Sequence, residues 1–234
     1  MAGQPGRVVI VGAGPAGMAL AYLLARRGVD VTVLETHLDF ARVFRGEGLQ
    51  RSGIDAFRQM GLGEKFDRIP HIELGIIEIY SRGRLVVRTN AAGFGRRQTR
   101  VVPQPAVLQL LADEAGKHPC FRLEVGVTVR DFLRENGRVA GVRASADDGP
   151  REYRADLVVG ADGRHAVTRK HSGLPELSGP QEAYDILWLK VPYPVHYPDR
   201  TTMLMAKAAD RAGLAFPTAD GQLQVGLVIP KGSF

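Results

Sequence analysis

Gly12, Gly14 and Gly17 are closely spaced in the segment GAGPAG, with Pro15 and Ala16 between the last two glycines. In such a segment the first glycine makes a tight turn, the second lets a pyrophosphate approach the backbone, and the third lets a helix pack closely on a strand. The amide groups at the start of that helix then attract the phosphate charge. These five residues therefore predict a site for the pyrophosphate of a dinucleotide.

An acidic residue follows at the end of the next predicted strand. Glu35 ends the segment DVTVLE, and Thr36 comes directly after it. A carboxylate in this position accepts hydrogen bonds from ribose hydroxyls, and it disfavours a 2′-phosphate because two negative charges would face each other. The alternative without a ligand is a glycine-rich turn next to a surface glutamate. Either NAD or FAD would fit this unit, so the choice of dinucleotide stays open at this point.

The elements that position these residues form a βαβ unit. Arg7–Val11 is predicted to be a buried strand because its valines and isoleucine form an unbroken apolar row. A helix with apolar residues at helical spacing follows the glycines, and Gly28 ends it. Asp30–Glu35 is the next predicted strand, and parallel strands joined in this way require a right-handed crossover.

The later chain does not continue as a simple βαβ series. Helices are predicted at Ser52–Met60 and Pro103–Ala115, and Ala155–Gly160 has the apolar run of another buried strand. Arg82-Gly83 and Asn136-Gly137 predict tight turns between strands. Further strands are predicted in 72–102, 121–155, 184–191, 202–206 and 222–229. The pattern indicates an α/β fold in which antiparallel excursions interrupt a βαβ core.

A second glycine-containing segment, GADGRH, follows the predicted strand Ala155–Gly160. It comes late in the chain, as if the polypeptide left the dinucleotide-binding sheet and later returned to it. Asp162 and Gly163 are the acidic residue and the second glycine of this segment. The alternative is that Asp162 is a turn residue ahead of a glycine.

Four segments together make the chain resemble the group A flavin monooxygenases, the p-hydroxybenzoate hydroxylase-like family of FAD-dependent aromatic hydroxylases. They are GAGPAG with Glu35, FRGEGLQ at 44–50, Val102-Pro103-Gln104 opening a helix, and GADGRHAVTR at 160–169. The segments span residues 8–170, and the later strands match the family only in character. The resemblance implies FAD in a Rossmann-like βαβ core with antiparallel β excursions, and part of a β-sheet domain that covers the substrate.

The resemblance also implies roles for individual residues. Arg45 would lie beside the FAD pyrophosphate or the flavin, and Gln104 would contact the cofactor from the start of its helix. The Val129 backbone would lie near the adenine. Asp162 and Gly163 would form the Asp-Gly element that the family associates with both FAD and the nicotinamide cofactor. A guanidinium suits a phosphate contact, and the alternatives are a solvated loop arginine and an exposed helix-start glutamine.

The resemblance divides the chain into four segments. Residues 1–70 and 103–178 would be the first and second FAD-binding segments, 71–102 a β excursion, and 179–234 a partial substrate-domain sheet. Two departures from the family are visible, because Ala166 stands where members often carry serine, and the later Gly-Asp element that holds the ribityl chain is missing. We therefore expect a truncated chain, in which tight FAD binding is in doubt.

The implied activity is that of an FAD-dependent monooxygenase. It would use NADH or NADPH as a transient reductant and O2 to hydroxylate a small aromatic molecule through a flavin C4a-hydroperoxide. Such chemistry needs no side-chain nucleophile, so no catalytic acid or base is assigned. The alternatives are a geranylgeranyl-reductase-like FAD oxidoreductase and an inactive FAD-binding fragment. A halogenase is excluded because its WxWxIP segment needs two tryptophans, and this chain has only Trp188.

Composition excludes several other classes. Hydrophobic residues make up 44% and charged residues 24%, as in ordinary globular proteins. The net charge of +6 is spread along the chain without a nucleic-acid motif, so no nucleic-acid partner is expected. The histidines form no metal-binding pattern and no GxSxG is present, which argues against a metal site and a hydrolase.

The expected location is the cytoplasm. The single cysteine, Cys120, excludes an intrachain disulfide and a cysteine-based zinc site. The apolar run Val8–Ala25 has about the length of a membrane span, but the glycines and the proline of GAGPAG interrupt any single helix. We expect no membrane span and small-molecule partners, and a homodimer is left open.

Overall fold

The computed structural model describes residues 6–41, 47–91, 99–175, 183–197, 199–208 and 211–234. In chain order the elements are β1 (Val8–Val11), α1 (Pro15–Ala25), β2 (Val31–Glu35), β3 (Gly48–Leu49), α2 (Arg51–Gln59), α3 (Gly63–Asp67), β4 (Ile72–Leu74), β5 (Ile76–Ser81), β6 (Arg84–Asn90), β7 (Thr99–Val101), α4 (Gln104–Ala115), β8 (Phe121–Val125), β9 (Thr128–Glu135), β10 (Arg138–Ala146), β11 (Gly149–Arg154), β12 (Leu157–Gly160), α5 (Val167–Ser172), β13 (Tyr184–Pro192), β14 (Thr202–Ala208), β15 (Arg211–Pro217) and β16 (Gln222–Pro230).

These elements form two compact units. The first contains Met1–Arg42 and Val107–Leu177, and the second contains Val43–Ala106 and Ser178–Phe234. The chain passes from the second unit to the first within α4. Residues 47–70 pack within the second unit, whereas the sequence analysis grouped them with the first FAD-binding segment. The functional assignment of the four sequence segments stays a prediction.

The first unit is built on a parallel sheet in the order β12-β1-β2-β8. Its central strand β1 is buried at all four positions, which explains its unbroken apolar row. Helix α1 turns Met18, Ala21 and Tyr22 toward buried surroundings. Strand β12 was expected to be buried, but it is an edge strand and Leu157 is 56% exposed. An edge strand pairs on one side only, so the apolar run of β12 correctly indicated a strand but not its burial.

An antiparallel sheet, β11-β10-β9, completes the first unit. Its apolar side chains share one core with those of the parallel sheet, including Val11 and Leu34 on one side and Val129 and Phe132 on the other. The turn between β9 and β10 has positive φ at Asn136 and Gly137, 50° and 77°, as the sequence predicted for a tight hairpin turn.

The second unit contains a six-stranded sheet, β13-β16-β15-β14-β5-β6, and a small sheet, β3-β7-β4. In the larger sheet only β14 and β5 are parallel, and the other neighbours are antiparallel. A core joins the two sheets through Leu74, Ile77, Val101, Met203 and Phe216. The α/β fold class, with a parallel core sheet and antiparallel additions, is confirmed.

Strand β15, helix α3 and the two-residue strand β3 of the second unit were not predicted from sequence. Strand β15, with the sequence RAGLAFP, lacks the alternation of large apolar and polar residues that marks a strand. It forms because β14 and β16 pair with it on both sides. Helix α3 has only five residues, too few for a periodic signal. No helix in the described ranges is both long and apolar enough to cross a bilayer.

A bulge in β10 gives a test of the first unit. Gly141 lies at the bulge with φ +150°, and a Cβ there would lie 2.0 Å from the Tyr153 carbonyl oxygen. We expect Gly141→Ala to lower the free energy of unfolding by about 2 kcal/mol or more, measured by urea denaturation. Gly137→Asn is the control, because its Cβ would meet no atom within 4 Å and asparagine tolerates positive φ. Equal stability of the two variants would contradict the bulge geometry.

Candidate functional site

The predicted phosphate turn lies where β1 ends, and two of its glycines are required by close backbone packing. Gly12 has φ +102°, and a Cβ there would lie 2.5 Å from the Ala161 carbonyl oxygen. A Cβ on Gly17 would lie 2.0 Å from the Gly12 carbonyl oxygen. Any larger residue at either position would force the backbone apart. The first and third glycines therefore have the structural roles that the sequence predicted.

Gly14 differs from the other two glycines, because no described residue packs closely enough against it to require a glycine. Its φ of −73° suits any residue, and a Cβ there would meet no atom within 4 Å. Gly14 is the N-cap of α1 and no side chain caps this helix; Pro15 and Ala16 are exposed. The first helical hydrogen bond runs from the Met18 amide to the Gly14 carbonyl oxygen at 2.9 Å. The start of α1 is thus an open surface that fits a pyrophosphate.

Glu35 is held at the mouth of this turn. The residue is only 4% exposed, and its Oε2 accepts a hydrogen bond from the Ala13 amide at 2.8 Å. Its Oε1 accepts one from the His37 amide at 3.0 Å and lies 2.7 Å from His37 Nδ1. A carboxylate can accept about four hydrogen bonds, and the contact of Glu35 with ribose hydroxyls stays a prediction. The carboxylate is therefore fixed where the sequence analysis expected it to face the turn.

His37 is a contact that the sequence analysis missed. Its ring contacts the carboxylate while 60% of its side chain stays exposed, so it can orient Glu35 without being buried. The sequence offered one signal for this contact, which is the position of His37 two residues after Glu35. Thr36 lies between them and is exposed.

The start of β9 lies beside the same strand end. The Val127 amide donates a hydrogen bond to the Glu35 carbonyl oxygen at 2.9 Å, and the Gly126 amide donates one to the His37 carbonyl oxygen at 3.3 Å. Val129 follows two residues later, 5% exposed and packed in the core. This places its backbone in the neighbourhood of Glu35. Its contact with an adenine ring stays a prediction.

The second loop leaves the neighbouring strand β12 beside the glycine turn. The Ala161 amide donates a hydrogen bond to the Val11 carbonyl oxygen at 2.8 Å. Asp162 accepts hydrogen bonds from the Thr168 amide at 2.9 Å and from the Thr168 hydroxyl at 2.5 Å. Both carboxylate oxygens of Asp162 therefore anchor the start of α5. Gly163 has φ +77° and open space around its Cβ position.

Asp162 thus has a clear structural role, which agrees with the alternative that it is a turn residue. A role in cofactor binding stays a prediction for Asp162 and Gly163, and the backbone of this loop is the part that is open to it.

Gln104 is the first residue of α4, as expected, and it lies in the second unit. Arg45 lies outside the described residues.

Glu47, in the FRGEGLQ segment, is buried and forms an ion pair. Its Oε1 lies 2.9 Å from Lys190 Nζ on β13, and Lys190 Nζ also lies 2.9 Å from Asp220 Oδ2. Burial alone would lower the pKa of Lys190, but its hydrogen bonds to Asp220 and Glu47 raise that pKa above the ordinary value. Lys190 therefore stays protonated.

Within the described ranges, no group of three His, Cys, Asp or Glu side chains could hold a metal.

Two curated relatives are similar to this chain in sequence. The chain is 31% identical over 229 residues to 6-methylpretetramide 4-monooxygenase of Streptomyces rimosus. The aligned region covers 97% of the chain and 54% of the relative. It is 28% identical over 170 residues to a probable NADH-specific resorcinol 4-hydroxylase of Rhodococcus jostii (strain RHA1), covering 71% of the chain and 32% of the relative. The chain therefore spans about half, or less, of the length of these relatives.

The fold is shared with a solved structure. The chain matches p-nitrophenol 4-monooxygenase from Pseudomonas putida DLL-E4 with a TM-score of 0.83 over 97% of the chain and 58% of that protein. The identity is 19%, so this likeness concerns the fold. A family model described as an FAD binding domain matches residues 6–230. With this match over nearly the whole chain, the protein belongs to the FAD binding domain family, the group of the flavin monooxygenases that its glycine turn and Asp-Gly loop resemble.

Proposed function

We propose that this protein uses FAD, a nicotinamide cofactor and O2 to hydroxylate a small aromatic molecule. The observation that carries the proposal is the open glycine turn at the end of β1. Its two outer glycines are fixed by backbone packing, whereas the Cβ position of Gly14 faces empty space at a helix start. A glycine that no packing contact or positive φ requires is explained by a ligand that approaches its backbone.

The electrostatics of the turn suit a diphosphate. Helix α1 has no acidic residue in its first turn, so nothing cancels the partial positive charge of its N-terminus. The carboxylate that contacts the turn directly is Glu35, and the amides of Ala13 and His37 stabilise its charge. Glu35 would accept hydrogen bonds from the adenosine ribose, while the amides at the helix start would hold the phosphates.

Bound FAD would supply the redox chemistry, taking electrons from NADH or NADPH and passing them to O2. In the balanced reaction one oxygen atom enters the aromatic product, the other leaves as water, and the nicotinamide is oxidised. The two relatives support the reaction type, since one is named a monooxygenase and the other an NADH-specific hydroxylase of resorcinol, an aromatic compound. The chain's own contribution is to bind, orient and shield the reactants.

The role of the glycine turn is tested by two alanine substitutions. We expect Gly14→Ala to leave the free energy of unfolding unchanged, because its Cβ meets no atom within 4 Å. It should weaken FAD binding by about tenfold or more, since a methyl group would stand between the backbone and the pyrophosphate. Gly17→Ala is the contrast, and steric overlap should destabilise it by about 2 kcal/mol or more. Flavin fluorescence titration and urea denaturation give the two readouts. Unchanged FAD affinity in Gly14→Ala would refute the site.

The reaction type is tested with labelled oxygen. The chain is reconstituted with FAD and supplied with NADH or NADPH, ¹⁸O₂ and a panel of phenols. We expect nicotinamide oxidation that depends on the phenol, and one ¹⁸O atom in each hydroxylated product by mass spectrometry. Turnover without O2, with reduction of a substrate double bond, would favour a reductase instead. Bound FAD without any turnover would favour a cofactor-binding fragment.

A further inference from the structure

Gln224 on β16 is a buried amide that the fold leaves unsatisfied. The residue is 0% exposed, and within the described part of the chain neither its Nε2 nor its Oε1 has a hydrogen-bond partner. Folded proteins pair most of their buried polar side-chain atoms, and each unmade hydrogen bond costs about 1–3 kcal/mol. A leucine of similar size would avoid this cost. The amide therefore calls for an explanation other than stability.

The strand register places Gln224 on the apolar face of the six-stranded sheet. It lies directly opposite Lys190 of β13 and opposite Phe216 of β15. Residues opposite each other on antiparallel strands project to the same face, and so do residues two positions apart. Trp188 and Met203 belong to the apolar cluster around Phe216 on this face. The amide is thus a neutral polar group next to aromatic and sulfur-containing side chains.

Glu47 adds a second unsatisfied atom next to the same lysine. Its Oε1 pairs with Lys190, but its buried Oε2 has no hydrogen-bond partner among the described residues. Asp220 also pairs with Lys190, so two carboxylates of the described part of the chain contact this ammonium group. These two carboxylates disfavour an anionic ligand beside them and favour a neutral one that can donate a hydrogen bond.

We propose that Gln224 recognises a neutral hydroxyl group on the aromatic substrate, with Glu47 Oε2 as a second acceptor. The inference rests on the proposed function and adds the substrate class: a neutral phenol rather than an aromatic carboxylate. A phenolic hydroxyl both donates and accepts, which matches the carbonyl oxygen and the amino group of one amide. Both amide atoms are closed to solvent, so the proposal includes a displacement of neighbouring side chains when the substrate binds.

Such a site discriminates strongly between substrates. A buried polar group built to bind a hydroxyl rejects an analogue without one, because binding the analogue leaves the amide unpaired. A carboxylate would meet two oxygen acceptors, Gln224 Oε1 and Glu47 Oε2, and it has no proton to donate to either. The aromatic ring itself would pack on the apolar side chains around the amide.

The chain contains its own reporter of binding. Trp188 is the single tryptophan, and its ring lies over Gly226, where a Cβ would come within 2.7 Å of a ring carbon. Gly226 is two residues from Gln224, so Trp188 fluorescence reports on ligands at this face. With FAD bound, we expect resorcinol to change this fluorescence in a saturable way, whereas benzoate at the same concentrations does not.

Gln224→Leu separates recognition from stability. We expect it to raise the urea midpoint of unfolding, because an unsatisfied amide is removed, and to weaken resorcinol binding by about tenfold or more. Gln222→Leu is the matched control, since it changes an exposed residue of the same strand and should alter neither property. FAD affinity, measured in the same preparations, should be equal in all three proteins.

Four results would overturn the inference. A lower unfolding midpoint in Gln224→Leu would show that the amide is paired within the fold. Resorcinol binding that is absent in the unsubstituted chain, or unchanged in Gln224→Leu, would remove the recognition role, and benzoate binding as tightly as resorcinol would refute the neutral substrate class. Failure to bind FAD in every protein, with phenol selectivity intact, would instead count against the proposed function alone.

Discussion

The close approach of three backbone segments at the end of β1 is the constraint on which the candidate cofactor site depends. The Gly12 turn contacts the carbonyl of Ala161, and the start of α1 contacts the turn at Gly17. Only residues without a Cβ allow these approaches, so the two loops that follow β1 and β12 are packed as one layer. This backbone packing positions the helix terminus and the Asp-Gly loop, and side-chain contacts add to it.

Two carboxylates stabilise this layer from opposite sides, and both act on backbone amides. Glu35 binds the amide of Ala13 within the glycine turn, and Asp162 binds the amide of Thr168 at the start of α5. A charge-assisted hydrogen bond to a backbone amide is stronger than a neutral one, so each acid fixes the loop that it contacts. Both oxygens of Asp162 accept hydrogen bonds from Thr168, whereas the contact of Glu35 with ribose hydroxyls stays a prediction.

The sequence predicted what depends on local spacing. The glycine turn, the strands on either side of α1, the start of α4 at Gln104 and both tight turns follow from residue types a few positions apart. Strand β15 could not be recognised, since its identity comes from pairing with β14 and β16 rather than from its own residues. The same holds for the Glu47–Lys190 pair, whose members are far apart in the chain and meet only through the sheet register. The cofactor roles of the predicted site residues remain predictions.

Glu78 shows that the second unit can provide hydrogen-bond and ion-pair partners for a buried carboxylate. It is 2% exposed, its Oε2 accepts a hydrogen bond from Tyr80, and its Oε1 lies 2.9 Å from Arg88 Nη1. The hydrogen bond to Glu78 raises the pKa of Tyr80, as expected of a donor held by a carboxylate. Gln224, on the same sheet, has no such partners. Because one sheet contains both cases, the unsatisfied amide does not reflect a general inability of this fold to pair buried polar groups. Gln224 lowers the stability of a sheet that pairs another buried group, Glu78. Such a local loss of stability is expected where a residue is placed for a ligand.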